Sequence, residues 1–265
     1  MKRIAFIAIC IFLTAIIVQC QWHKAVYGSL IQDKYGATVQ FLTTDSNRAV
    51  YLIFTADSMF EGGNYALDIL KDKNCKASFF FTGNFLRDSV SNGAVIRRAI
   101  DEGHYVGPHG DRHILLADWN DERSTLVDAD SALADMKSNL SALSVYGVDT
   151  LTTRYVVPSF EWYNRVHTEA FARSGMITIG LTPGFTTYLD FTTPDMPKYC
   201  SADSIWHSFS NRLKDEDISG SIILIHLGTS DLRQDKFYRY LPQMIDSLCR
   251  YGYKVRALPT ADAAR

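Results

Sequence analysis

The sequence predicts an α/β fold built on a parallel sheet, because short apolar runs of strand length alternate with amphipathic segments of helical length. The first run, Ala49 to Thr55, reads AVYLIFT and shows no alternation of polar and apolar residues. A continuous apolar strand is typical of a parallel sheet that helices cover on both faces. Seven such units between residues 49 and 258 favour a barrel over an open sheet, although spacing alone does not decide between the two.

The elements follow one another in a regular order along the chain. Strands are predicted at 49–55, 76–82, 104–106, 154–157, 176–181, 221–227 and 253–258. Helices are predicted around Leu67 and Ile96 and over 122–146, 162–174, 202–214 and 241–250, where apolar residues recur at helical spacing. Residues 21–48 precede this pattern and are expected to form an N-terminal cap or hairpin. Residues 49–265 are then expected to form one barrel domain.

Composition and charge narrow the possible functions. Hydrophobic residues make up 47% of the 265-residue chain and charged residues 21%, which is ordinary for a globular protein with a full core. The 27 basic and 29 acidic residues give a net charge of -2, so the basic surface that nucleic-acid binding requires is not predicted. No sequence feature indicates a protein partner.

The N-terminus predicts export. Met1-Lys2-Arg3 is followed by an uncharged, mostly apolar run from Ile4 to Val18, as in a secretory signal peptide ending near residue 20. The run is shorter than the roughly 20 residues that a membrane span needs. The protein is therefore expected outside the cytoplasm, in the periplasm or outside the cell. Two alternatives remain open, namely a lipid anchor on Cys20 and a retained N-terminal anchor.

Two histidines form the sharpest local signal for a metal site. His109 and His113 are four residues apart, a spacing that lets two imidazoles face one ion. Gly107-Pro108 precedes them and excludes a regular helix, so a shaped loop is expected. Asp57 follows the first strand and would complete a His-His-carboxylate set with open positions for water and substrate. The alternative is a pair of surface histidines and an aspartate that caps a turn; spacing alone leaves both open.

His226 lies in an apolar strand, Ile222 to Leu227. A histidine in that setting is usually a hydrogen-bonded core residue. Near the carboxyl end of a strand, it could instead act as an acid or base with a tuned pKa. The position alone does not exclude the core role.

The order of several short motifs adds a resemblance to a known family. Residues 54–58 (FTADS) loosely match T-F-D-D-G, and 67–71 (LDILK) and 76–80 (KASFF) match LDxLK and KATFF. Residues 103–113 (GHYVGPHGDRH) match G-H-x-x-G-x-H-[ST]-x-x-H, and 224–226 (LIH) match L-x-H. These motifs resemble those of the polysaccharide deacetylase family, carbohydrate esterase family 4, which has the nodulation-type deacetylase domain.

The resemblance implies a distorted (β/α)7 barrel and a hydrolase that removes acetyl groups from an extracellular or envelope poly- or oligosaccharide. It also implies one divalent metal ion, usually zinc in that family, held by the positions of Asp57, His109 and His113. The position of His226 corresponds to the histidine that protonates the leaving amine.

The departures from the family pattern bear on the base. Ala56 stands where the family has its catalytic aspartate, and Val157 where it has the arginine that holds this base. Glu161 replaces the glycine of the same third motif. We hypothesise that Glu161 takes over the base role or orients the nucleophilic water; the alternative is that it caps a helix starting at Trp162.

The fourth motif, an aspartate near a tryptophan, has no clean match, and Asp190 and Asp195 are both candidates. Two function hypotheses therefore remain. One is a metal-dependent deacetylase with an altered base, which the retained His226 favours. The other is a non-catalytic, metal-retaining carbohydrate-binding protein, which the lost carboxylate at Ala56 favours. The sequence does not identify the sugar or separate N-acetyl from O-acetyl groups.

Overall fold

The computed structural model describes residues 29–42 and 48–260. The expected signal peptide over residues 1–20 and the candidate lipid anchor Cys20 lie outside the described residues. Within the described ranges, no helix is both long enough and apolar enough to cross a membrane.

A hairpin and seven further strands make up the sheets. The strands are β1 (Ser29–Asp33), β2 (Gly36–Phe41), β3 (Ala49–Ala56), β4 (Ser78–Phe81), β5 (Tyr105–Pro108), β6 (Tyr155–Val156), β7 (Ile177–Thr178), β8 (Ile222–His226) and β9 (Lys254–Arg256). The first two pair antiparallel. The main sheet has the order β5-β4-β3-β8, all parallel, with β9 also paired to β3, and β6 pairs parallel with β7.

Helices separate the strands. They are α1 (Gly63–Asp72), α2 (Gly83–Arg87), α3 (Ser89–Asp101), α4 (Ala129–Ser144), α5 (Arg165–Arg173), α6 (Ala202–Asp215) and α7 (Leu241–Arg250). Three short 3-10 turns lie at Ser159–Glu161, Thr187–Phe191 and Phe237–Tyr240. Apart from α2, each helix overlaps one that the sequence predicts.

Single main-chain hydrogen bonds link the main parallel sheet and the β6–β7 pair into an interrupted barrel. The amide of Val157 donates to Pro108 across the gap between β5 and β6, at 3.2 Å. Beyond β7, Gly180 donates to Val39 of the hairpin at 2.9 Å, and Thr182 donates to Ile222 of β8 at 3.2 Å. The α/β barrel class predicted from the sequence is thereby confirmed, with a ring that is continuous on one side and sparsely bonded on the other.

The central strand β3 separates the two halves of the core. All eight of its residues are buried. Leu52 and Phe54 pack outward into the layer formed with the helices, whereas Tyr51 and Ile53 pack inward with the interior of the barrel. This two-sided burial explains why the strand is apolar throughout, since both pleat faces lie against other residues.

The predicted helix over 122–146 is too long at its N-terminal end. The observed helix α4 begins at Ala129, after Asp128, whose side chain accepts a hydrogen bond from the amide of Ser131. An N-cap of this kind fixes the residue at which the helix begins. The apolar periodicity of the sequence continues on both sides of the cap and therefore does not mark this boundary. Residues 117–125 instead form a loop closed by the bridge between Ala117 and Thr125, and Leu126 is 56% exposed.

Gly220 is a tightly packed glycine of the barrel. It has a φ of +78°, and a Cβ there would lie 2.3 Å from the carbonyl oxygen of Leu42. Gly252 has a similar φ of +82° with no described heavy atom within 4 Å of such a Cβ. We expect Gly252→Ala to lower the free energy of unfolding by about 1–2 kcal/mol for the left-handed backbone. Gly220→Ala should cost about 1–3 kcal/mol more, because the added carbon is overpacked.

Urea denaturation of both variants measures the difference. If both variants lost the same free energy of unfolding, the close approach of residue 220 to the carbonyl oxygen of Leu42 would contribute nothing to that loss.

Candidate active site

The register of the parallel strands sets the position of the candidate site. Ala56 pairs with Phe81, and Phe81 pairs with Pro108. The next residue along each strand is Asp57, Thr82 and His109, so these three side chains start from one level at the carboxyl edge of the sheet. On the other side of β3, Thr55 pairs with His226. Active sites of parallel barrels gather at this edge.

Asp57 is held by hydrogen bonds that leave one of its oxygens free for the site. Its Oδ1 accepts from the hydroxyl of Thr82 at 2.9 Å and from Nδ2 of Asn84 at 3.3 Å. Its Oδ2 lies 3.6 Å from Nδ1 of His113. The sequence predicts Asp57 beside the histidine pair, and the structure brings them together.

The orientation of His109 is fixed by the protein backbone. Its Nδ1–H donates to the carbonyl of Val157 at 2.9 Å, which leaves the lone pair on Nε2. The rings of His109 and His113 lie 5.2 Å apart between centroids. His113 has a φ of +52°, so the loop turns sharply there and brings the second ring back toward the first.

Polar side chains of helix α4 support this loop from behind. Asn139 accepts the amide hydrogen of His109 at 2.8 Å, and Asp135 accepts that of Asp111 at 2.7 Å. Asp135 also accepts from Nε of Arg112 at 3.0 Å. The sequence motifs do not identify these two supporting residues. Their signal was a pair of polar residues four apart on the buried stripe of a predicted helix.

Both candidate ligand histidines are held neutral. Burial and, to a smaller extent, the neighbouring His113 lower the pKa of His109 to about 3. Burial also lowers the pKa of His113, while the charge of Asp57 opposes that shift. A neutral imidazole is the form that binds a metal.

The residues fit a divalent metal by donor type and by orientation. Two imidazoles and a carboxylate are ligands that catalytic zinc uses. A ligating histidine typically donates its other ring N–H to a backbone carbonyl, as His109 does to Val157. Within residues 29–42 and 48–260, however, no three His, Cys, Asp or Glu side chains already stand as a complete ligand set. Their side chains would have to close further around an ion.

Glu161 reaches the same site from a strained turn. Phe160 and Glu161 have φ values of +61° and +52°, a conformation that side chains rarely adopt. Oε1 of Glu161 is buried without a hydrogen-bond partner and lies 3.7 Å from Nε2 of His109. Burial raises the pKa of Glu161 to about 7; the nearby His226 lowers it and Asp190 raises it.

The alternative role for Glu161, capping a helix at Trp162, is wrong. Helix α5 begins at Arg165, and its cap is Asn164, whose side chain accepts the amide hydrogen of Val166 at 3.0 Å. His167 completes a capping box with Asn164, because its Nδ1 accepts the amide hydrogen of Asn164 at 3.2 Å.

His226 forms a tight pair with Asp190. Its Nδ1–H donates to Oδ1 of Asp190 at 2.5 Å, and its amide donates to Oδ2 at 2.8 Å. Asp190 is fully buried, whereas Asp195 is exposed and bonds to Thr193, so Asp190 is the one of the two candidates that reaches the site. Burial alone would lower the pKa of His226, but the charge and hydrogen bond of Asp190, with Glu161 adding to them, raise it to about 9.

The positions of the family's base and its arginine partner are apolar here and fully packed. Ala56 ends β3 and Val157 follows β6, and both are buried in the core. The only carboxylates that the described residues place against the two site histidines are Asp57 and Glu161.

An α/β barrel with two histidines and a carboxylate at its carboxyl edge has the donor set of metal-dependent hydrolases. The chain belongs to the polysaccharide deacetylase family, whose sequence profile it matches over residues 43–176.

Individual relatives agree with this assignment. The chain is 37% identical over 87 residues to the peptidoglycan-N-acetylmuramic acid deacetylase PdaA of Bacillus subtilis, a match covering 32% of this chain and 30% of the relative. The chain spans only about a third of the length of the curated relatives it matches, 36% of one and 30% of the other.

Solved structures share the fold at low sequence identity. The chitin deacetylase of Colletotrichum lindemuthianum has a TM-score of 0.65 at 20% identity, covering 84% of this chain and 90% of that one. A family 4 pseudoenzyme from Bacillus anthracis has a TM-score of 0.62 at 18% identity, covering 84% and 67%. The structure of PdaA has a TM-score of 0.61 at 18% identity, covering 88% and 94%.

The pairing of His226 with Asp190 can be tested by titration. Asp190→Asn removes the charge that raises the pKa of His226, so that pKa should fall well below its wild-type value of about 9. In the wild-type protein, the raised pKa makes the protonated imidazole stabilising. That stabilisation is fully present below pH 6.5 and is lost as the pH rises toward about 9. NMR titration of the imidazole in the metal-free protein measures both values; equal pKa values in variant and wild type would contradict the pairing.

Proposed function

We propose that the protein is a metal-dependent deacetylase that acts on an acetylated poly- or oligosaccharide outside the cytoplasm. The observation that carries this proposal is the gathering of Asp57, His109 and His113 at the same edge as the His226–Asp190 pair. A structural barrel has no need for a charged histidine beside two neutral ones. The predicted signal peptide supports the location.

The proposed metal is one divalent ion, most simply zinc, held by Asp57, His109 and His113. When bound, such an ion supplies a Lewis acid for the acetyl carbonyl and lowers the pKa of a water molecule. The protein holds two of the three donors in place through Thr82 and Val157, which bond to Asp57 and His109.

The proposed acid is His226. Its Nδ1–H is committed to Asp190, so Nε2 is the atom that delivers a proton to the leaving amine or alcohol. Asp190 keeps the imidazole charged and fixes the orientation of its ring. The proposed base is Glu161, because its buried Oε1 lacks a hydrogen-bond partner and lies beside His109. Such an oxygen is free to accept a proton from the attacking water.

One observation favours a second candidate function, a non-catalytic carbohydrate-binding protein. Ala56 and Val157 replace both members of the family's base and arginine pair with buried apolar side chains. A structural relative from Bacillus anthracis is described as a pseudoenzyme. The deacetylase remains our proposal, because the acid pair of His226 and Asp190 is complete in this chain.

Acetate release from a panel of acetylated glycans tests the deacetylase directly. The purified protein should release acetate, lose this activity with a chelator and regain it with zinc. His109→Ala should lose both metal, measured by elemental analysis, and activity. The matched control His207→Ala, on the exposed face of helix α6, should keep both. Full activity and full metal content in His109→Ala would make the proposed metal site wrong.

The base is tested by Glu161→Gln, which keeps the size of the side chain and removes its charge. We expect turnover to fall by about 10²- to 10⁴-fold with metal retained, the range for losing a general base. The KM should change little if the residue acts on the water rather than on the sugar. Turnover at the parental rate in a folded, metal-loaded variant would exclude Glu161 as the base.

A further inference from the structure

A fully buried arginine follows His226 in the loop between β8 and helix α7. Arg233 is 0% exposed and is the largest, by residue volume, of the side chains that the described residues bury completely. Long cationic side chains are almost never buried to this extent unless they are paired. The proposed mechanism gives this residue no role.

The guanidinium of Arg233 joins its own loop to the turn that carries Asp190. Its Nη1 donates to the carbonyl of Thr192 at 2.7 Å. Thr192 closes the 3-10 turn Thr187–Phe191, because its amide donates to the carbonyl of Leu189 at 3.0 Å. The arginine therefore holds the end of this turn, two residues after Asp190.

The loop of Arg233 is itself fixed, so it can serve as an anchor. Nε of Arg233 donates to the carbonyl of Asp235 at 3.2 Å. The carboxylate of Asp235 accepts from the hydroxyl of Tyr199 at 3.0 Å and from the amide of Ala202 at 2.7 Å. Ala202 is the first residue of helix α6. The turn of Asp190 is thus tied, through Arg233 and Asp235, to the start of a helix.

Burying this arginine costs free energy that its contacts do not fully recover. Its Nη2 has no hydrogen-bond partner among the described residues. The carboxylate of Asp235 lies 3.5 Å from Nε and is 37% exposed, so it compensates the charge only in part. An apolar side chain would fill the same space at equal or lower cost. The arginine therefore points to a requirement other than stability.

We propose that Arg233 is a positioning residue that keeps Asp190 within hydrogen-bonding distance of both the ring and the amide of His226. Asp190 accepts from these two groups at 2.5 and 2.8 Å. A displacement of its turn by about 1 Å would lengthen at least one of the two bonds beyond the hydrogen-bonding range. The imidazole would then lose the orientation that Asp190 gives it.

The effect of Arg233 on His226 is geometric rather than electrostatic. The groups that raise the pKa of His226 are Asp190 and Glu161. An influence of Arg233 on the imidazole therefore has to pass through the position of Asp190. The consequence for catalysis rests on the proposed function, in which His226 is the acid, whereas the positioning of Asp190 can be measured without turnover.

The first measurement follows the Nδ1–H proton of His226 by NMR in the metal-free protein. A short, charge-assisted hydrogen bond moves such a proton far downfield. The wild type should show this resonance, and Asp190→Asn should lose it. Arg233→Met, which fills the buried space without donors, should shift it upfield or broaden it beyond detection. The matched control is Arg98→Met, which removes a 2.6 Å ion pair between helices α1 and α3 and should leave the resonance unchanged.

The second measurement is turnover on the acetylated glycan that the wild-type protein hydrolyses fastest. Arg233→Met should lower kcat by about 10²-fold, the scale for a catalytic group displaced by about 1 Å, with little change in KM. Arg233→Lys keeps the charge but replaces the planar fork by one ammonium, so we expect a smaller fall, of about tenfold. Urea denaturation shows whether each variant is folded, and Arg233→Lys decides the question if Arg233→Met is not.

The positioning role is wrong if a folded Arg233 variant keeps the downfield proton and the parental kcat, or if Arg98→Met alters the resonance equally. Loss of turnover with an unchanged resonance, or a wild-type protein without a downfield proton, would also overturn it. A wild-type protein that releases no acetate, but whose downfield proton depends on Arg233, would contradict the proposed deacetylase and leave the positioning of Asp190 standing.

Discussion

The parallel register of strand β3 with its two neighbours is the constraint on which the candidate site depends. Because Ala56, Phe81 and Pro108 are paired in one row, the next residues, Asp57, Thr82 and His109, leave the sheet at one level. The burial of all eight residues of β3 fixes this register, since a shift by one residue would exchange its two packed faces. Asp57 and His109 are far apart in sequence. The sheet core therefore positions the chemistry that lies beyond it.

At this edge the protein keeps similar groups in different charge states. His109 and His113 are neutral, because burial lowers the pKa of both and the neighbouring His113 also lowers that of His109. His226, also enclosed, is charged because Asp190 accepts from both its ring and its amide. Environments that push the pKa values of neighbouring groups apart are how a single site separates electron-pair donors from proton donors. The proposed division between metal ligands and acid follows from these environments rather than from residue type.

The sequence predicted the parts of this arrangement that are encoded locally. Apolar runs revealed the strands, and the spacing of His109 and His113 revealed their loop. What it could not predict depends on contacts between distant segments. Asp190 and Asp195 are equivalent candidates in sequence, and only the fold places Asp190 under His226. The sequence also left a capping role for Glu161 possible. The start of helix α5 is set by the capping box of Asn164 and His167, which apolar periodicity does not reveal.

The family's catalytic aspartate and the arginine that holds it are both replaced here, by Ala56 and Val157, and the two replacements have a common explanation. A carboxylate at position 56 would sit at the end of a fully buried strand, where a charge is costly unless it is paired. With Val157 in place of the arginine, no such pair would form, so an apolar residue at position 56 is the more stable choice. Glu161 is buried as well, and burial raises its pKa to about 7, but it enters from a strained turn beside His109, within the field of the charged His226. In the proposed enzyme the proton acceptor has thus moved from the strand end to the neighbouring loop, and the charge of His226 takes the part that the arginine has in the family pattern.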